Sequence, residues 1–131
     1  MSLDSYAFAV QKGTDLNTVK ERFQNDELEI LHHWDNNDYL HSAMERIYEI
    51  YRFGEYKQGK YMVDFSEEFL KLHELDLKSL ITYYHMMHYD EELLKRDLEF
   101  FELGQILARS GLDIYYVSSV WLGLNGDNND I

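Results

Sequence analysis

Asp113-Ile114-Tyr115-Tyr116-Val117-Ser118-Ser119-Val120-Trp121 is the stretch on which the fold class turns. It is dense in β-branched and aromatic side chains, which suit a pleated, half-buried surface, and it reads as a strand. A helical reading would place Ile114, Val117 and Trp121 on one side. A strand needs partners, and the other end of the chain supplies candidates. Ser5-Tyr6-Ala7-Phe8-Ala9-Val10-Gln11 alternates large and small side chains with period two. Lys12-Gly13 is a turn, and Thr14 or Asp15 caps a helix with Leu16, Val19 and Phe23 on one stripe. From Leu28 to Trp34 the chain alternates again. Strand, helix and strand in this order predict a βαβ unit with parallel strands and a right-handed crossover.

Between these ends the periodicity is helical. Asp35-Asn36-Asn37-Asp38 forms a turn and a cap, after which Leu40, Ala43, Met44, Ile47 and Tyr51 repeat at helical spacing up to Gly54. Glu55 to Lys60 reads as a polar loop, and Ser66 to His73 as a short helix. Asp76 opens a helix carrying Leu77, Leu80, Ile81, Tyr84 and His88. Asp90-Glu91-Glu92 places acids where the next helix's dipole favours them, and that helix stops at Ser110-Gly111. It is apolar on two sides: Leu94, Leu98 and Phe101 form one stripe, and Leu93, Phe100, Leu103 and Leu107 another.

The expected fold is therefore α+β and dominated by helix. A small three-stranded sheet, made of the βαβ unit and a C-terminal strand, packs on a helical layer. The expected organisation is a single acidic domain over residues 1–131. It comprises a βαβ segment over 1–38, a helical segment over 39–111, a strand over 112–122 and a polar, mobile tail over 123–131.

The 131 residues carry 25 acids against 12 bases, a net charge of −13. Such a field repels phosphates and anionic membranes and attracts basic partners. Hydrophobic residues at 45% and aromatics at 15% exclude disorder by composition. With no Cys, there is no disulfide framework, no thiolate nucleophile and no Cys-based zinc site. The first residues show neither a basic n-region nor an apolar h-region, and no window approaches the ~20 apolar residues of a membrane span. A cytoplasmic location is the expectation.

The segment from Asp76 to Leu112 resembles part of a family of small standalone bacterial proteins, a domain of unknown function. In that family a helix opening Asp-Leu-x-x-Leu precedes a His and then a helix carrying Phe-Glu-x-Gly-x-Ile. The matching residues are Asp76-Leu77 and Leu80, then His85, then Phe101-Glu102-Leu103-Gly104-Gln105-Ile106. The resemblance covers about a quarter of the chain, omitting both N-terminal strands and everything after Gly111. It implies a bacterial origin and no particular chemistry.

Catalytic signatures are not evident. His85-Met86-Met87-His88 places two imidazoles at i, i+3 on a helix, a spacing compatible with a metal, with His73 or Glu92 as a third ligand. His41 and Glu45 read as a surface i, i+4 pair. No Gly-x-Ser-x-Gly elbow and no Gly-rich phosphate loop occurs. Adjacent carboxylates such as Glu67-Glu68 and Glu91-Glu92 diverge by about a hundred degrees on a helix and suit solvated faces better than acid/base couples. Arg46, Arg52, Lys57 and Lys60 interleave with Tyr48, Tyr51, Phe53, Tyr56 and Tyr61, a pattern suited to single-stranded nucleic acid, but the net charge opposes that reading.

What remains is an acidic, tyrosine-studded surface. Glu67, Glu68, Glu91, Glu92 and Glu99 supply charge, and Tyr83, Tyr84 and Tyr89 supply anchors for a basic protein partner. No catalytic residue and no cofactor is assigned. The leading expectation is an interaction module of the immunity, antitoxin or inhibitor kind. Alternatives are a small metal enzyme using His85 and His88, and a homodimer closed by aromatic residues.

Overall fold

In the computed structural model the deciding stretch is a strand as far as Ser118, with residues 119–123 in a turn rather than in the strand expected over 112–122, and the expected α+β class holds. Residues 3–52, 68–87 and 91–123 are described, without the side chains of Glu91 and Leu93. The elements run β1 (Asp4–Gln11), α1 (Leu16–Gln24), β2 (Ile30–Asp35), α2 (Asp38–Arg52), β3 (Phe69–Leu72), α3 (Glu74–Met87), α4 (Glu91–Arg109) and β4 (Leu112–Ser118). The sheet has four antiparallel strands in the order β2-β1-β4-β3. The loop expected over 55–60, the helix end at Gly54 and nearly all of the 123–131 tail lie outside the described residues. No described helix is long and apolar enough to cross a membrane.

Two expectations are corrected. First, β1 and β2 pair antiparallel, so there is no βαβ crossover. The Asn36 amide donates to the Leu3 carbonyl at 2.7 Å, joining the end of β2 to the start of β1. The nine residues of α1 advance the chain only ~13.5 Å, about half the ~26 Å length of an eight-residue strand. Asp26 then adopts φ 59 and the Glu27 amide bonds back to the Arg22 carbonyl, turning the chain into β2 at the end of the sheet where β1 finished. Second, residues 69–72 form β3 rather than part of a Ser66–His73 helix. Phe69, Leu70 and Leu72 are all buried there, and β3 is the fourth strand that the sequence pattern did not disclose.

Local signals otherwise act as expected. The Asp15 carboxylate caps α1, accepting from the Thr18 amide at 3.1 Å and the Thr18 hydroxyl at 2.9 Å. These hydrogen bonds hold its carboxyl below the ordinary range. Asn37 Oδ1 accepts from the Leu40 amide at 3.0 Å at the start of α2. After α4, Gly111 takes φ +93, a conformation that favours glycine.

Among the described residues the chain divides into two compact units. One holds residues 3–6, 33–52, 68–70 and 116–123, and the other residues 7–32, 71–87 and 91–115. In the first, α2 lies on the sheet face that carries Ser5, Trp34 and Tyr116. Leu40, His41, Ala43, Met44, Tyr48 and Tyr51 are its buried side chains. In the second, Phe8 stacks on Phe23 of α1 and on Tyr115 (ring centroids 5.7 and 5.6 Å), while His32 of β2 meets Phe100 of α4 at 6.1 Å. Strand alternation puts Phe8 and His32 on opposite faces, so α1 covers one face and α4 the other.

The second unit also contains the α3–α4 hairpin, and its closest approach is at Gly104. A Cβ built there would stand 3.0 and 3.3 Å from the two Leu77 methyl carbons. Tyr84 meets Phe101 edge-on at 5.0 Å, and its hydroxyl donates to the buried Asp97 carboxylate at 2.7 Å. Arg109 at the end of α4 bonds Glu74 at the start of α3. Leu77 of α3 is thus set against Gly104 of α4. Gly104→Leu should lower stability by about 1–3 kcal/mol through overpacking. Leu77→Ala should cost ~2–5 kcal/mol alone yet erase most of the Gly104→Leu penalty. Urea unfolding of the two single variants and the double variant checks this, and additive losses would show that the two sites do not touch.

Candidate functional site

The residues assigned to partner binding from sequence fall into different environments. Glu92 and Glu99 are exposed on α4, Glu68 and Tyr83 are half-buried, and Glu91 has a described backbone only. Glu67 and Tyr89 lie outside the described residues. Tyr84 is corrected: its relative exposure is 0% and its hydroxyl is committed to Asp97, so it presents nothing to a partner. Asp97, which receives that hydroxyl, is itself buried at 1%.

The candidate metal pair is half visible. His85 is exposed near the end of α3, and His88 lies outside the described residues. His73 cannot serve as a third ligand. It precedes the first turn of α3, where its amide donates to Asp76 Oδ2 at 2.9 Å, and His85 is about 18 Å further along the helix. Among the described residues no group of three His, Asp or Glu is placed to hold a metal ion.

The structure does gather one set of surface residues into a concavity. Glu92, Leu94, Lys95, Leu98, Glu99 and Glu102 of α4 line an open groove of about 560 Å³. At a hundred degrees per residue these six positions occupy the side of α4 turned away from Asp97, Phe100 and Gly104, which are buried. Leu94 and Leu98, one turn apart and half-buried, lie beside the buried Phe101, and the three glutamates and Lys95 are exposed to one side of them. Each apolar stripe of α4 holds a buried aromatic, Phe101 on one and Phe100 on the other, so both stripes reach the core. Glu92 and Glu99 were legible as charge, whereas the leucines carried no sequence mark separating them from core residues.

A second constellation, missed from sequence, lies in the first unit. His41 is not half of a surface pair. It is 8% exposed, and only Glu45 reaches solvent. The Tyr116 hydroxyl donates to Ser5 Oγ at 2.8 Å and stands 2.9 Å from His41 Nδ1. Since a hydroxyl has one proton to give, Nδ1 carries the proton in the His41–Tyr116 bond. Nε2 then has no hydrogen-bond partner among the described residues, with Glu45 Oε2 3.5 Å away. Trp121 stacks on Tyr48 at 4.4 Å and meets His41 at 5.1 Å, and Trp34 meets Tyr116 at 6.1 Å. Tyr48 and Tyr51, read from sequence as half of a basic–aromatic nucleic-acid pattern, are buried on α2.

No family model matches the chain, and no curated protein or solved structure matches it. The reading of function therefore rests on these two constellations and on the charge.

Burial holds the His41 imidazole below its ordinary value of 6.5, against the opposing pull of Glu45 and Asp38. The unfolded chain therefore takes up this proton at a higher pH than the folded one. Stability from this group is complete above about pH 6.5 and is lost as pH falls below it. His41→Gln should flatten the decline in unfolding free energy between about pH 7.5 and 5, read from Trp34 and Trp121 fluorescence in urea. Parallel pH curves for the two proteins would remove His41 as the cause.

Proposed function

We propose that this protein is a non-catalytic interaction module, bacterial and cytoplasmic, that binds a basic protein partner in the manner of an immunity, antitoxin or inhibitor protein. The observation that carries this reading is the α4 groove. It sets half-buried Leu94 and Leu98 beside three carboxylates and one ammonium, on a chain of net charge −13. Apolar area supplies affinity once it leaves water, while carboxylates around it steer a cationic partner and repel anionic ones. Nucleic acid and anionic membrane surfaces are disfavoured by the same field.

Exposed Met86, Met87, Leu103 and Ile106 add apolar surface to the α3–α4 hairpin. Methionine is an adaptable contact residue, suited to a surface that receives another protein.

The expected outcome of affinity capture from host lysate at low salt is one basic protein in stoichiometric amount. When purified, it should rebind one to one, with an association rate falling roughly tenfold or more between about 50 and 500 mM salt. A retained protein of acidic character, or binding indifferent to salt, would overturn the proposal.

A further inference from the structure

We propose that His41 is a proton-operated catch for the turn over residues 119–123: the neutral imidazole seats Trp121 against α2, and the imidazolium unseats it. Every group involved belongs to the first compact unit.

The turn is tied to α2 by one ring. Among the described residues, the Trp121 amide donates to Ser118 Oγ at 3.2 Å, the Leu122 amide to the Ser118 carbonyl at 3.0 Å and the Gly123 amide to the Val120 carbonyl at 3.1 Å. These bonds close within residues 118–123 and reach no helix. The Trp121 ring does: it stacks on Tyr48 at 4.4 Å and meets His41 at 5.1 Å, with Tyr116 edge-on at 5.3 Å.

The imidazole fits this place only when neutral. Nδ1 gives its proton to the Tyr116 hydroxyl, and Nε2 is buried with no hydrogen-bond partner among the described residues. A neutral ring leaves one lone pair unsatisfied there. A proton on Nε2 leaves a full charge instead, with Glu45 Oε2 3.5 Å away and 50% exposed. Indole nitrogen is a donor only, so Trp121 offers that N–H no lone pair, and attraction to the ring face replaces only part of the lost hydration. The charged groups that act on the ring are Asp38 and Glu45, both of α2 and both favouring the proton. β4 presents Tyr116, β1 presents Ser5 through that hydroxyl, β2 sets Trp34 against Tyr116, and the turn presents Trp121; none of these side chains is charged near neutral pH.

The walls of this site differ in how firmly they are held. Tyr116 is fully buried on β4, between β1 and β3, whereas Trp121 is half-buried on a turn. Trp121 is therefore the wall that yields and lets water reach Nε2. With Trp121 lifted the ring titrates near its ordinary 6.5, and with Trp121 seated burial holds it lower. The open form takes up the proton first. Seating is complete above about pH 6.5, and the open fraction grows by at most about tenfold per pH unit below it.

The test is amide hydrogen exchange followed by NMR on the full chain between about pH 7.5 and 4.5, with intrinsic exchange rates divided out. Protection of the Leu122 and Gly123 amides should start to fall near pH 6.5 and drop at least threefold by about pH 5.5. It should level off where the His41 ring Hε1 shift shows the seated imidazole itself titrating. Throughout, these amides should be less protected than those of Tyr116 and Val117 in β4, which marks an opening of the turn rather than unfolding. His41→Gln should hold the turn's protection constant. Glu45→Gln should keep the fall, because the carboxylate opposes burial and is not the group that takes up the proton.

Constant protection in the unaltered protein, or loss only at the level of the β4 amides, would show that no separate catch exists. A fall that persists in His41→Gln or vanishes in Glu45→Gln assigns the proton elsewhere and overturns the proposal as well. Should His41→Gln not fold, the unaltered protein still decides: a folded-state His41 titration at or above about pH 6.5 sinks the idea.

Discussion

The pairing of β1 with β4 is the constraint on which the other contacts depend. It joins residues about a hundred or more positions apart. The Ser119 amide donates to the Asp4 carbonyl at 2.8 Å, and the Lys12 amide to the Gly111 carbonyl at 3.0 Å, so one register holds along the whole length of β1. β4 between these points is almost wholly buried, with Ile114, Tyr116 and Val117 at 0% exposure. Full burial of side chains of this size contributes on the order of 1.5–3 kcal/mol each. Closing so long a loop is entropically unfavourable, and that price is met only when the central strand pair and its flanking elements form together. The Tyr116 hydroxyl sits at the crossing of these demands, tying Ser5 of β1 to His41 of α2.

Polar groups are placed in two contrasting ways. Inside, Ser5, His41 Nδ1, Asp97 and Tyr116 are hydrogen-bonded at short distance, as low dielectric surroundings require, while Nε2 of His41 has no hydrogen-bond partner among the described residues. Outside, Glu99 and Glu102 of α4 are exposed beside the half-buried Leu98. The first arrangement contributes to one specific packing. The second contributes little to the fold, since exposed charges are screened, and it matters for what approaches the surface. The same helix serves both: Asp97 meets Tyr84, while Glu99, two residues on, faces solvent.

Where sequence reading succeeded, the signal was local. Asp15, Asn37 and Gly111 mark element ends because the orphaned backbone groups of a helix terminus, or a positive φ, select those side chains. Where it failed, the signal was shared between competing states. Phe69-Leu70-Lys71-Leu72 is too short for period two to be told from part of a helix, and adjacency to β4 makes it a strand. α3 is apolar nearly all round, so its periodicity does not say that Tyr84 is buried while Met86 stands 70% exposed. His41 at i, i+4 from Glu45 looked like a surface pair because the distant Tyr116 that buries it is invisible to local spacing.

The sequence by itself determined the α+β class, the positions of α1, α2, α3, α4 and β4, and the acidic character of the chain. Each of these follows from composition or from interactions within a few residues. The tertiary structure alone decided the antiparallel sense of β1 and β2, the existence of β3, and which residues of α4 are buried. It also assembled the Ser5–Tyr116–His41 chain. These depend on which distant surfaces meet, and local periodicity constrains a residue's face without naming what that face will touch.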